Sequence, residues 1–355
     1  MLSRTASRLI QQHGTRTIAS LQHQNKPHTI FSGIRPTGMP HLGNFLGALQ
    51  NWVKLQRDST SQDKLLFSIT RRHSLARRDM LAALLAIGLD PNSSIIFHQD
   101  ENPHHVELAW LFNCITPIGK LRHMTTWKAQ IAASRNANDE SEVDESMLNA
   151  GLFTYPVLQS ADILLYKATH VPAGEDQKQH LELARDIGDT FNRTFGTLFP
   201  LPEYVATPTR RLLPLKDPSS KMSKSSPDQS SRILLTDTDA QIQTKIRAAV
   251  TDSIRGVTYD PSNRPGTSNL LTILAACTDE DVTDVAKRYK AKGHGELKAD
   301  VAAAVLELMR KPRSEFERLR AEPVYLQQVA RDGAEKAQVL SEETIKQVRT
   351  MVGLV

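Results

Sequence analysis

The run Thr29-Ile30-Phe31-Ser32-Gly33-Ile34, then Arg35-Pro36-Thr37-Gly38-Met39-Pro40, then His41-Leu42-Gly43-Asn44, decides the fold. Its first six residues are mostly apolar and read as a short buried strand. The next six are turn formers that close it. From Leu42 onward, Phe45, Leu46, Leu49 and Val53 recur at helical spacing, so strand hands over to helix. The pattern then repeats. Lys64 to Ile69 reads as a second strand, Arg77 to Ile87 as a helix stopped by Gly88, and Ser94 to His98 as a third strand. Alternation of this kind predicts an α/β chain with a Rossmann-like open parallel sheet wrapped by helices.

Further along, residues 134–146 read as an exposed loop rich in Asn, Asp, Glu and Ser. Met147 to Lys167 reads as a helix that Pro156 must start or kink. Gly174-Glu175-Asp176-Gln177 opens a helix carrying His180, Ala184, Ile187, Phe191 and Phe195 on one face. Pro200 to Pro218 reads as a Pro-rich connector with basic Arg210, Arg211 and Lys216. Helical patterns dominate after Gln229, and no internal repeat is visible. The expected division is a leader over 1–28, a catalytic domain over 29–228 and an all-helical domain over 229–355.

Composition narrows the class. Of 355 residues, 39% are hydrophobic and 23% charged, enough apolar material for sizeable cores and unlike a disordered or fibrous chain. No window approaches the apolar length of a membrane helix, so no membrane partner is expected. The two cysteines, Cys114 and Cys277, lie far apart, which excludes a disulfide framework or a cysteine zinc site and fits a reducing compartment. The net charge is +5, but Arg4, Arg8, Arg16 and Lys26 all precede the first carboxylate, Asp58. An Arg-bearing, hydroxyl-rich, acid-free N-terminus reads as a mitochondrial transit peptide. The remaining body is close to neutral, so overall charge says little about nucleic acid.

Two segments carry chemistry. The turn from Pro36 to Asn44 lies at the carboxyl end of the first strand, where ligands of open α/β sheets collect. A helix start there offers N–H groups and positive dipole to a phosphate. Gly38 and Gly43 allow close approach, and His41 can meet growing negative charge. The second segment is Lys221-Met222-Ser223-Lys224-Ser225, whose two lysines in a Ser-rich loop can close over a polyphosphate and stabilise a leaving pyrophosphate. A third pair, Gln159 and Asp162, stands three apart on a helix and can face one pocket. A buried carboxylate at Asp162 would accept a hydrogen bond from an N–H of a ligand. A substrate lacking that donor leaves the carboxylate unpaired, a rejection worth ~10⁴–10⁵-fold.

The HxGN run and the KMSKS loop together resemble the paired signatures of class I aminoacyl-tRNA synthetases, whose usual HIGH reads His41-Leu42-Gly43-Asn44 here. The stretches 155–165 (YPVLQSADILL) and 171–180 (VPAGEDQKQH) are similar to the tryptophanyl-tRNA synthetase family of bacterial and mitochondrial type. That resemblance runs from Thr29 almost to the C-terminus. It implies ATP-dependent activation of tryptophan and transfer to tRNA(Trp), with Mg²⁺ carried by ATP rather than held by the protein. It also implies a homodimer, and with the leader a place in the mitochondrial matrix.

The catalytic group implied is His41, Asn44, Lys221 and Lys224. For ATP the resemblance implies Arg35, Thr37, Gly38, His41, Gly43, Asn44, Gly174, Asp176 (on the ribose hydroxyls), Lys221, Met222, Ser223, Lys224 and Ser225. For tryptophan it implies Phe31, Ser32, Gly33, Tyr155, Gln159, Asp162 and Gln177, with the Asp162 carboxylate accepting the single N–H of the indole. Basic residues of the helical domain, among them Arg247, Lys287, Arg288, Lys290 and Lys292, would meet the anticodon stem.

One stretch departs from the family. Between Phe67 and Met80 its Asp-x-His-Ala and part of the following helix are missing, and Arg71, Arg72, Arg77 and Arg78 crowd the gap. His73 therefore inherits no active-site role. Two other readings stay open: a tyrosyl-tRNA synthetase, and a synthetase-like RNA-binding protein with a damaged pocket.

Overall fold

A computed structural model describes residues 27–70, 74–125, 127–128, 148–206, 212–218 and 228–354, with Ile131, Ser146 and the backbone of Arg16–Thr17. Six parallel strands form one sheet: β1 (Arg16–Thr17), β2 (Thr29–Ile34), β3 (Lys64–Ile69), β4 (Ile95–His98), β5 (His170–Ala173) and β6 (Glu203–Ala206). Their spatial order is β1-β6-β5-β2-β3-β4. β2 and β3 pair over their whole length, from Thr29 opposite Lys64 to Ile34 opposite Ile69. Every residue of β3 after Lys64 is buried. Burial on both faces is what a parallel strand covered by crossover helices requires, and it explains the unbroken apolar run Leu65-Leu66-Phe67.

The crossovers follow from the sequence pattern. Between β2 and β3 the chain forms α1 (Leu42–Asn44), a π-helical turn over Phe45–Leu49, and α2 (Gln50–Asp58). α3 (Ser74–Ala86) joins β3 to β4. It starts three residues before the expected Arg77 and ends at Ala86, two residues short of Gly88, whose φ of +110° suits glycine. Between β4 and β5 lie α4 (His104–Ile115), α5 (Ile118–Arg122) and α6 (Ala150–Leu164). Pro156 does not start α6. Asn149 caps it, accepting from the Leu152 N–H at 2.8 Å, and the helix runs through the proline. α7 (Lys178–Phe195) joins β5 to β6 and buries His180, Ala184, Ile187 and Phe191 of the face read from periodicity, while Phe195 at its end is half-buried. The loop expected over 134–146 lies outside the described residues except for Ser146.

Besides the two-residue β1, two strands escaped the sequence reading. β5 contains Pro172, which cannot donate to a ladder, and β6 falls inside the stretch read as a connector after Pro200 and Pro202. Each is four residues long and gains its identity from pairing, His170 opposite Glu203 through Ala173 opposite Ala206. The two-residue β1 falls within the stretch read as a leader and pairs with Val205 and Ala206 of β6.

Among the described residues, every named element after Ala206 is helical. The main ones are α8 (Asp239–Arg247), α9 (Pro265–Thr278), α10 (Val282–Tyr289), α11 (His294–Arg320) and α12 (Pro323–Val352). These helices share their core with the sheet. One cluster joins Leu65, Phe67 and the α3 residues to Leu270, Leu274, Val301, Val305 and Phe316. The other joins Phe31, Leu66 and Phe97 to Ala337, Ile345 and Val348 of α12. α12 lies against β4, where Gly333 meets the backbone of Ile96 so closely that a Cβ would overlap the Ile96 carbonyl oxygen.

Gly333→Ala is therefore expected to cost about 1–3 kcal/mol through overpacking. A urea midpoint shift at unchanged slope would report it. A Cβ at Gly295, in the first turn of α11, meets nothing within 4 Å. Gly295→Ala is expected to be neutral or to stabilise by about 0.4–1 kcal/mol.

Candidate active site

The chain runs from β2 to β3 on one side of the sheet and returns at β5 on the other. β2 and β5 thus mark the point where strand order reverses. A crevice forms outside the carboxyl ends of strands at such a point. A cavity of about 1010 Å³ opens there, lined by Gly33 and Ile34 at the end of β2, by Arg35 and Thr37 after it, by Thr70 after β3, and by Val171, Pro172 and Ala173 of β5. α6 contributes Tyr155, Leu158, Gln159 and Asp162, and the 174–180 segment contributes Gly174, Asp176, Gln177 and His180. This volume exceeds an ordinary small-ligand pocket and has room for two substrates.

Twelve of the residues expected from the sequence line this one space: Phe31, Ser32, Gly33, Arg35, Thr37, Asn44, Tyr155, Gln159, Asp162, Gly174, Asp176 and Gln177. Gly33 is an exposed glycine in a strand whose neighbours Phe31 and Ser32 are buried, so bare backbone faces the cavity. Ser32 also ties the junction together, its hydroxyl donating to the Pro172 carbonyl at 2.9 Å. Gln159 Nε2 donates to Gln177 Oε1 at 3.3 Å, and Gln177 Nε2 donates to Asp176 Oδ2 at 2.8 Å. This polar thread leads from the α6 wall to the carboxylate expected at a ribose.

Gly38, His41 and Gly43 do not line the cavity. Gly38 holds φ +143°, a conformation other residues rarely adopt, so it shapes the turn. His41 is buried and caps α1. Its Nδ1 accepts from the Asn44 N–H at 3.2 Å while Asn44 Oδ1 accepts from the His41 N–H at 3.3 Å. A neutral ring that accepts at Nδ1 carries its proton on Nε2. The N–H groups expected to be open to a phosphate are largely engaged, since Leu42 N–H donates to Ile233 O at 2.8 Å and Asn44 N–H to His41. A short antiparallel bridge pairs His41 with Leu234, which brings the start of α1 beside the segment following the lysine loop. That loop, Lys221, Met222, Ser223, Lys224 and Ser225, lies outside the described residues.

Among the cavity residues that sequence reasoning missed, four carry a side-chain hydrogen-bonding group: Trp52, Thr70, Gln99 and His180. Thr70 and Gln99 each follow directly after a strand, so the carboxyl-end rule that selected the β2 turn could have found them. His180 stands three residues from Gln177 on α7 but reads as one of its apolar-face positions. Asp162 is buried, and its oxygens accept from two directions: Oδ2 from Gln99 Nε2 at 2.5 Å and Oδ1 from His105 Nδ1 at 2.7 Å. Nothing in the spacing of His105 relative to Asp162 announces that contact.

Burial lowers the pKa of His180, and the Asp176 carboxylate opposes the shift only in part. Its Nε2 lies 3.0 Å from the Tyr155 hydroxyl. Burial raises the pKa of Tyr204, and Glu175 and Asp176 raise it further.

The comparisons with known proteins point one way. A family model described as tRNA synthetases class I (W and Y) matches residues 23–310. The mitochondrial tryptophan–tRNA ligase of Schizosaccharomyces pombe is 39% identical over 347 residues, covering 92% of this chain and 96% of that protein. Tryptophanyl-tRNA synthetase from Mycoplasma pneumoniae superimposes with a TM-score of 0.78 at 30% identity, covering 93% of this chain and 99% of that one. The Campylobacter jejuni enzyme complexed with ADP and tryptophan gives 0.75 at 27% identity, covering 92% and 99%.

The lowered pKa of His180 sets a pH dependence. Above the unfolded histidine pKa, near 6.5, the ring is neutral in both states and its burial costs nothing extra. Below it the unfolded chain gains a proton that the folded chain resists, so stability falls as pH drops towards the folded pKa. The stability of the native chain relative to His180→Phe is expected to decline between pH 7 and pH 5, measured by denaturant titration at each pH.

Proposed function

The chain belongs to the class I tRNA synthetases for tryptophan and tyrosine, and we propose that its cavity takes tryptophan and ATP side by side and joins them as tryptophanyl-adenylate. The chain is a tryptophan–tRNA ligase. A tryptophan carboxylate oxygen attacks the α-phosphorus of ATP in line, the bond to the bridging oxygen breaks, and pyrophosphate leaves. The terminal ribose hydroxyl of tRNA(Trp) then attacks the activated carbonyl and releases AMP. No side-chain nucleophile is needed, so rate comes from positioning and from neutralising charge.

The observation that carries this reading is the buried Asp162 carboxylate in the wall of the cavity, bounded by Tyr155, Gln159 and Gln177. It offers an acceptor to an indole N–H, while Arg35, Thr37, Asn44 and Asp176 line the same space for the nucleotide. Lys221 and Lys224 hold the phosphates in this proposal, and Mg²⁺ arrives bound to ATP. The ADP-bound Campylobacter relative supports a nucleotide at this site.

The place of work is the mitochondrial matrix, supported by the acid-free, arginine-bearing leader and the mitochondrial relative. The helices after Gln229 are proposed to grip the anticodon stem. Lys287 and Arg288 are exposed on α10 but paired with Asp284 and Glu280. Exposed pairs of this kind are worth little, so a phosphate can take them over at small cost. A homodimer is supported by α4, where Val106, Trp110 and Cys114 recur every four residues on an exposed stripe, with Trp110 69% accessible. Ile118, 62% accessible, extends it. An apolar patch of this kind marks an interaction surface.

ATP–pyrophosphate exchange with each amino acid tests the core of the reading. Tryptophan is expected to support exchange far faster than tyrosine, and Lys224→Ala to lower kcat by about 10²–10³-fold through lost charge stabilisation. Faster exchange with tyrosine would reassign the amino acid. Binding of structured RNA without exchange would return the chain to the non-catalytic reading left open by its short Phe67–Met80 segment. Trp110→Asp is expected to convert a dimer to a monomer in sedimentation velocity.

A further inference from the structure

Asp162 is held from behind by a buried chain of hydrogen bonds that includes no cavity-lining residue. His105, 1% accessible on α4, places Nδ1 2.7 Å from Asp162 Oδ1 and Nε2 2.8 Å from the Tyr166 hydroxyl. Asn102 Nδ2 lies 3.0 Å from that same hydroxyl and 2.9 Å from Ser341 Oγ on α12. Asn102 Oδ1 accepts from the His104 N–H at 3.1 Å, which fixes which end of the amide is NH₂.

Counting donors then assigns every proton. Asn102 gives one hydrogen to Ser341 and the other to the Tyr166 oxygen. The Tyr166 O–H is left to donate, and the acceptor within reach is His105 Nε2. A neutral imidazole that accepts at Nε2 carries its hydrogen on Nδ1, and that hydrogen points at Asp162. Burial raises the Tyr166 pKa far above its ordinary value, so the phenol keeps the proton this chain requires. Asp162 Oδ1 is thereby committed. Its other oxygen, Oδ2, accepts from Gln99 Nε2 at 2.5 Å in the cavity wall and keeps a second lone pair for a ligand.

We propose that His105 is a positioning residue for amino-acid specificity: its locked Nδ1–H pins Asp162 Oδ1 so that Oδ2 faces the cavity as the acceptor of the tryptophan indole N–H. The inference rests on the assignment of tryptophan to this cavity and adds how the acceptor is held. Without the pin only the Gln99 bond to Oδ2 restrains the carboxylate, which can then turn about that contact and aim its acceptor in more than one direction. The penalty for a ligand that lacks the N–H then shrinks, because the unpaired carboxylate finds other partners. Tyr166 acts one bond further back by selecting the tautomer.

The test compares tryptophan with its benzothienyl analogue, in which sulfur replaces the indole N–H, in ATP–pyrophosphate exchange by the full chain. The native chain is expected to prefer tryptophan by about 10² or more in kcat/KM. His105→Leu should lower that ratio at least tenfold, through KM for tryptophan, with KM for ATP unchanged. His105→Asn, which keeps an N–H near the Nδ1 position, should recover most of it. Tyr166→Phe, which leaves His105 in place but frees its tautomer, should lower the ratio about threefold. If tryptophan and its analogue decline together in His105→Leu, so that the ratio is preserved, His105 is only a packing residue and the inference fails. Should His105→Leu not fold, an unchanged ratio in Tyr166→Phe overturns the inference equally. A native chain indifferent to the two substrates would instead sink the assignment of Asp162 to the indole.

Discussion

The junction between β2 and β5 is the constraint from which the site follows. Parallel strands need crossover connections, and crossovers leaving β2 in one direction and entering β5 from the other part company at the sheet's carboxyl edge. The crevice between them cannot be filled by either set of helices. Register keeps it in place: Ile30 pairs with His170, and the Ser32 hydroxyl bonds the Pro172 carbonyl across the two strands. Gly33 then presents backbone where a side chain would otherwise project. The cavity is a consequence of topology before it is a property of any catalytic residue.

Chemistry is distributed across that junction by two elements from the same side. α6 brings Tyr155, Gln159 and Asp162, and the turn before α7 brings Asp176 and Gln177. The Gln159–Gln177–Asp176 thread couples them through hydrogen bonds rather than through a shared backbone. A ligand that displaces one amide of this thread alters the acceptor offered to the next. Under the proposed assignment, the residues for the amino acid and for the ribose are coupled by this thread within one cavity.

The parts legible in the sequence are those with local physical causes. The β2 turn, the helix after it and the α7 face all follow from apolar period and turn formers, and each lies where periodicity put it. Asp162 was legible because a carboxylate among Ile163, Leu164 and Leu165 conflicts with its surroundings, and such a conflict marks use. β5 and β6 were not legible, because four-residue strands beside prolines draw their stability from partners distant in the chain. His105 was hidden for the same reason: α4 meets α6 only in the folded state, and its pairing with Asp162 spans 57 positions. His41 shows the limit of motif reading. The motif marked the right turn, yet in this conformation its imidazole caps a helix instead of lining the cavity.

The short stretch after β3 includes residues 71–73, which lie outside the described residues. Its described neighbours are Thr70, which lines the cavity, and α3, which begins at Ser74. Arg77 is bonded to Asp100, and Arg320 reaches Asp79 at 3.3 Å, so two of the charges near the gap are engaged with the sheet edge and α11. The wall around Asp162 is built from β2, α6 and the 174–180 turn together with Gln99 after β4, and β2 pairs with β3 over its whole length. The hydrogen bonds behind Asp162 run through α4 and α12, and α12 packs against both β4 and α3. The shortened link therefore sits among elements that support the carboxylate. Asp162 nonetheless keeps both of its partners, His105 and Gln99, so the acceptor proposed for an indole is intact in the chain as it stands.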